Sequence, residues 1–440
     1  MRHPLCSRLM PSLFVLGCAL LAAMASNQTA VAEEYDEPPI NYRNGKPDNA
    51  ISRLQAKITR GEVNLKYDDL LGYLPAVLEA LEIPVDSQML VFSKTSLQLR
   101  RISPQAPRAI YFNDDVYLGY CQSGDMLELS VADPNLGTVF YTIEQQRGDK
   151  PQIERHVDRC LICHSSSRTE NIPGHLVRSL FVDESGQPIF SAGSQSVDHT
   201  TPLEKRWGGW YVTGTHGAQK HLGNLIVPKG TPPYQVDNAA GQNVVKLDEL
   251  CDVGHYPTPH SDIVALMVLE HQTLVHNRIT KANFATRQAL DYEAKLNEAL
   301  GEPATNRFES TTRRIQGAGD DLVEALLLVD EVPLTAPIVG TSGYAERFSK
   351  LGPFDDQGRS LRQLDLKQRL FKYPCSYLIY SESFDRLPDE LLQYVWKQMW
   401  DILTADEPPK DFQHLSAEDR EAIVEIIRAT KPNLPDYWRS

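Results

Sequence analysis

The chain has 440 residues, with 44 Lys and Arg against 58 Asp and Glu, a formal net charge of −14. An acidic balance of this size argues against nucleic acid and anionic membrane as partners, because both carry the same sign. It suits a soluble protein that meets a basic partner, or simply a solvated acidic face.

Residues 1–32 read as a secretory signal. Arg2 and Arg8 give a positive start, Leu13 to Met24 is a short apolar run, and Ala30-Val31-Ala32 is a small-x-small cleavage site before Glu33. The run is too short for a membrane span. Val15-Leu16-Gly17-Cys18 offers a lipoprotein alternative, although the apolar run continues past Cys18. Cleavage at Ala32 leaves 408 residues with a charge of −16, exported to the periplasm or beyond, with no membrane span. A chain of that length buries a large core, expected as two domains.

Residues 33 to about 50 are polar and proline-containing and read as a loose arm. Asn49–Gly61 and Leu70–Leu81 read as short helices. The period then changes to two. Val116, Leu118 and Tyr120 alternate with polar or small neighbours, as do Leu127, Leu129 and Val131, and again Val139, Tyr141 and Ile143. With Asp133-Pro134-Asn135 and Gly137 between the last two runs, this predicts an antiparallel meander. Pro151 leads into a short helical stretch.

That stretch carries Cys160-Leu161-Ile162-Cys163-His164. Two thiols flanking two residues, with a histidine immediately after, is the spacing for covalent c-type haem. Each thiol adds to one vinyl group, and the adjacent imidazole becomes the proximal iron ligand. With 7 Cys and 12 His in the chain, chance gives the pattern about 0.003 times, so chance is a poor explanation. A structural zinc wants four ligands, often from two such pairs, and no second C-x-x-C exists. A redox dithiol is the remaining alternative. One motif means one haem per chain. After cleavage Cys121, Cys251 and Cys375 remain besides the pair, enough for one disulfide and one thiol, or none.

Leu176–Val182 and Ile189–Ala192 flank the turn Asp183–Pro188 and read as a hairpin. Trp207–Val212 reads as another short strand, and Gly214 to about Cys251 as a long loop and natural boundary. The remainder reads as helical: Ser261, as cap, to about Leu300; 309–330; 387–404; and Ser416–Thr430. The expected fold class is therefore α+β, with an antiparallel-sheet haem domain over 33–250 and a helical domain over 251–440.

The far side of the iron separates an electron carrier from a gas binder or catalyst. Met267 and His271 share one stripe of the long helix, where a core methionine beside a hydrogen-bonded core histidine is the plainer reading. His175, His199, His216 and His221 are the other candidates. His271 and His276 are five apart rather than four, so a zinc-protease helix is excluded. Arg178 and Arg206 are candidate propionate partners, with plain surface arginine the simpler reading of each, and Trp207, Trp210 and Tyr211 either pack on a porphyrin or, more simply, fill the core.

At Cys160–His164, after an export signal, the chain resembles the c-type cytochromes. That resemblance implies haem through Cys160 and Cys163 with His164 as iron ligand. The strands around the motif, and the lack of a suitably placed methionine, depart from the small all-helical members. In Arg206-Trp207-Gly208-Gly209-Trp210-Tyr211 and Tyr373-Pro374-Cys375-Ser376-Tyr377 the chain is similar to large secreted monohaem cytochrome-domain proteins of Planctomycetes-like bacteria. The pattern of elements is also loosely similar to sheet-based haem proteins and periplasmic PAS-like sensors. The expected function is electron transfer to a redox partner protein. The alternative is a haem oxidoreductase, peroxidase-like or sheet-based, or a haem sensor with an open distal side.

Overall fold

The computed structural model describes residues 34–148 and 150–439; the expected signal segment, with Cys6 and Cys18, lies outside them. The fold class is α+β, as the change of period along the chain predicts. Two short helices, α1 (Ala50–Thr59) and α2 (Leu74–Ala80), precede six strands. These are β1 (Met89–Val91), β2 (Arg108–Phe112), β3 (Val116–Cys121), β4 (Met126–Asp133), β5 (Gly137–Glu144) and β6 (Ile153–His156). They form one antiparallel sheet in simple sequence order.

Register fixes two unlike faces, because successive side chains point to opposite sides. Leu90, Tyr111, Leu118, Leu129 and Tyr141 share one face and join α1 and α2 in one apolar cluster. Arg108, Gly119, Glu128 and Thr142 are on the other face, with Tyr117, Ser130 and Phe140 in a cross-strand row. That second face is covered by the C-terminal helices. Met89, Val91, Phe112 and Tyr117 join a larger cluster that runs through Trp207 and Met267 to Trp438. The core therefore crosses residue 250, and the sheet is the layer shared by both clusters.

The main covering element is α4 (Ile263–Leu300), 38 residues long, here numbered after the one-turn helix α3 (Leu161–His164). Asp262, not Ser261, caps it: Asp262 Oδ1 accepts from the backbone N–H of Val264 and Ala265. The Ser261 hydroxyl is instead committed to the sheet edge, accepting from Leu90 N–H and donating to the Tyr211 carbonyl. Beyond α4 lie α5 (Glu309–Leu326), α6 (Asp389–Thr404) and α7 (Ala417–Thr430), close to the expected ranges. Ser416 caps α7 as read from the sequence. No described helix is long and apolar enough to cross a membrane.

Three local expectations are corrected. Residues 34–50 are not a loose arm, since Tyr35, Ile40 and Tyr42 are buried and Tyr42 Oη donates to the Thr138 carbonyl at 2.9 Å. Their apolar area outweighs the polar composition around them. Trp207–Val212 is irregular, although Phe92 N–H donates to the Gly209 carbonyl and Tyr211 N–H to the Leu90 carbonyl, so it lies along the β1 edge. The hairpin keeps its Asp183–Gly186 turn, but Phe190–Ala192 is a 3₁₀ turn. The paired strands are the shorter β7 (Arg178–Ser179) and β8 (Gln195–Ser196).

Candidate functional site

The motif occupies a single helical turn at the edge of the polar sheet face. His164 N–H donates to the Cys160 carbonyl at 3.0 Å and closes that turn. Positions separated by three and four residues share one side of a helix, so Cys160, Cys163 and His164 face together while Ile162 is 78% exposed. One turn is marginal by itself. Its end is held by Gly174 N–H, which donates to the His164 carbonyl at 2.8 Å.

All three residues line a cavity of about 430 Å³ whose floor is the polar sheet face. That volume lies within the range of roughly 300–1,000 Å³ usual for small-molecule and cofactor sites. The floor carries Arg108, Gly119, Glu128, Ser130, Phe140 and Thr142. Arg108 Nη2 and Glu128 Oε2 form an ion pair at 2.7 Å, and Ser96 Oγ donates to Glu128 Oε1 at 3.0 Å. Gly119 lies directly against this pair. A Cβ there would meet the Arg108 guanidinium at 2.3 Å, far inside contact distance. Arg108 Nε is buried without a hydrogen-bond partner. Lys94, Arg159 and Arg178 stand around the same cavity.

The carbonyl of Gly174 can only accept, so the contact of His164 Nδ1 with it at 3.0 Å fixes the proton on Nδ1. The ring rests near Phe140, 4.9 Å between centroids. Burial holds the His164 imidazole below the ordinary histidine range, favouring the neutral form. Burial pushes the Cys160 thiol up to about 11. Cys160 and Cys163 are free thiols, and Cys121, Cys251 and Cys375 are free and buried, so none of the described cysteines forms a disulfide.

Of the six candidates for the far side, only His175 lines this cavity. Met267 is packed in the core. His271 is buried with both nitrogens engaged, Nδ1 with His199 Nδ1 at 3.1 Å and Nε2 with Ser376 Oγ at 2.8 Å. This is the hydrogen-bonded core histidine of the plainer reading, and it occupies His199 as well. His216 and His221 lie against each other, 4.7 Å between ring centroids, and His221 packs on Trp207. His276 Nε2 donates to the Asp114 carbonyl at 2.8 Å. Among the described residues no group of three or more His, Cys, Asp or Glu is arranged to hold a metal ion.

Arg178 and Trp210 line the cavity, and Arg206, Trp207 and Tyr211 do not. Arg206 is buried in an ion pair with Glu270 at 2.8 Å, and Trp207 Nε1–H also donates to Glu270. Tyr211 Oη donates to the Pro104 carbonyl at 2.8 Å. Arg108, Glu128, Ser130 and Phe140 were not singled out in advance. The alternation of β4 contains the clue: if Leu127, Leu129 and Val131 face a core, Glu128 and Ser130 face whatever covers the other side.

Comparisons with protein-family models, with curated proteins and with solved structures give no match to this chain.

Proposed function

We propose that the protein is an exported monohaem c-type cytochrome that passes single electrons to and from a redox partner protein. Cys160 and Cys163 would hold the porphyrin through thioethers, and His164 would ligate the iron through Nε2. When bound, haem supplies a one-electron ferric/ferrous couple. The observation that carries this reading is the convergence of all three motif residues on one cavity, with the His164 proton already fixed on Nδ1.

Each residue has a task in that reading. The Gly174 carbonyl orients the His164 ring and raises its basicity as a donor. Lys94, Arg159 and Arg178 would pair with the carboxylates of the group, and Arg108 has a donor to spare. Phe140, Tyr117 and Trp210 keep water from part of the wall. The redox-dithiol alternative needs a lowered thiol pKa, whereas burial moves Cys160 the other way.

The second reading, a haem oxidoreductase or sensor with an open distal side, draws on one feature: the Arg108–Glu128 pair places charge inside the cavity, where it can act on a bound small molecule. A redox titration of protein matured with c-type haem attachment machinery tests the electron-transfer reading. A single reversible one-electron wave, followed in the visible spectrum, is the expected result. Failure to take up haem, or irreversible reduction, would overturn it.

A further inference from the structure

The cavity carries a charge opposite to that of the chain. Its charged lining is Lys94, Arg108, Arg159 and Arg178 against Glu128 alone, in a protein with a formal net charge of −14. Glu128 is taken by Arg108. Among the described residues Lys94, Arg159 and Arg178 have no carboxylate partner.

Arg168 adds a further cation beside them. Ser194 ties it to Arg178: the Ser194 carbonyl accepts from Arg168 Nη1 at 3.2 Å, and its hydroxyl accepts from Arg178 Nε and Nη2 at 3.1 and 2.8 Å. Two guanidinium groups are thus held close together, and neither meets a carboxylate. The acids nearest the motif in sequence do not offset them. Asp158 is bound by Arg43, and Glu170 by Arg278 and Lys281.

Apolar side chains stand among these charges. Leu97 and Leu99 are 42% and 46% exposed, and Phe190 is 60% exposed with the Arg178 guanidinium 5.7 Å from its ring centroid. All three line the cavity. Ile162 faces away from the motif cysteines, so a porphyrin carried on their thiols would leave it in water. Apolar area rimmed by charge is the make-up of a protein contact. The two carboxylates of a bound haem would answer part of the positive surplus and leave the rest.

We propose that this face is the docking surface for an acidic protein that passes single electrons to the haem. The inference rests on the covalent-haem reading given above and adds the chemistry of the partner. Net charge alone would pair the chain with a basic protein. The field at the cavity selects the opposite sign, because salt confines each surface charge to about 10 Å at 0.1 M. One electron leaves the partner and reduces ferric iron to ferrous, and no proton is transferred.

The test follows reduction of the matured full-length holoprotein by stopped flow. Two one-electron donors of opposite charge are compared: a reduced plant-type ferredoxin, which is an acidic protein, and the methyl viologen radical cation. Salt is raised from about 0.01 M to about 0.1 M, which shortens the Debye length from about 30 Å to about 10 Å. The ferredoxin rate should fall with salt and the viologen rate should rise. Arg168→Glu should slow ferredoxin on the order of three- to tenfold at low salt and speed viologen, with Arg168→Gln between it and wild type. Damage to the fold would not move the two rates in opposite directions. A wild-type ferredoxin rate that rises with salt would overturn the proposal, as would Arg168 variants whose two rates stay unchanged or move together. Wild type without haem on a denaturing gel would overturn the underlying reading, and the partner with it, before any rate is measured.

Discussion

The imidazole of His164 and the carbonyl of Gly174 are joined by a hydrogen bond of 3.0 Å across ten residues of chain. It leaves Nε2 as the unprotonated ring nitrogen, the one with the lone pair. The same peptide segment delivers His175 to the cavity, so the two rings are not independent. A disturbance at Gly174 reaches both.

Gly174→Ala makes that disturbance. An added Cβ would stand 2.7 Å from Asn277 Oδ1 and 3.1 Å from Thr169 Cβ. Asn277 cannot withdraw without loosening its two bonds to the His175 backbone. Overpacking of this kind costs typically about 1–3 kcal/mol. On the proposed haem reading, the expected outcome is a modest fall in melting temperature together with a raised midpoint potential, because a weaker Nδ1 bond would make His164 a poorer ligand to ferric iron. Each tenfold change in relative ferric and ferrous affinity corresponds to about 59 mV. Potentiometry of the variant checks the sign.

Asp262 anchors the long helix to the rest of the molecule. Its Oδ1 caps α4 through Val264 and Ala265, and its Oδ2 accepts from the N–H groups of Thr341 and Ser342 at 2.7 and 2.8 Å. The residue is fully buried. Asp262→Ala removes a cap and orphans two further donors, a loss expected at roughly 3–5 kcal/mol. Denaturant unfolding measures it. An effect under about 1 kcal/mol would show that water replaces the carboxylate.

Glu331 gives a pH dependence of known sign. Burial pushes its carboxyl up to about 7, against the opposing effect of Leu370 N–H, which donates to Oε1 at 2.7 Å. The folded form therefore holds its proton more tightly than the unfolded chain. The stabilisation is full below the ordinary carboxylate range and is lost as pH rises to about 7. Glu331→Gln keeps the acceptor for Leu370 and cannot ionise. Relative to wild type it should gain stability at pH 8 over pH 5, on the order of 1–3 kcal/mol. Thermal melts at the two values check it, and equal shifts at both would contradict the assignment.

Much of the fold could be read from periodicity. The meander, α4 and α7 follow from alternation, spacing and caps, because those signals are local. The burial of Tyr35 and Tyr42 was not legible, since it depends on β5 and β6 arriving from more than ninety residues away. The same limit applied to the site. Cys160, Cys163 and His164 announce themselves by spacing alone. Arg108 and Glu128 are ordinary surface residues until the register pairs their strands through β3. His175, His216 and His221 look alike as loop histidines. Only the packing of Asn277 and Tyr117 around the first separates them.

The central claim, covalent haem at Cys160 and Cys163, is tested most directly by the intact mass of the denatured protein. After expression with c-type maturation machinery, wild type should carry the mass of one haem through denaturation. The Cys160→Ala, Cys163→Ala double variant should carry none. A wild-type mass equal to the bare processed chain, or a double variant that still holds the added mass, would contradict the account.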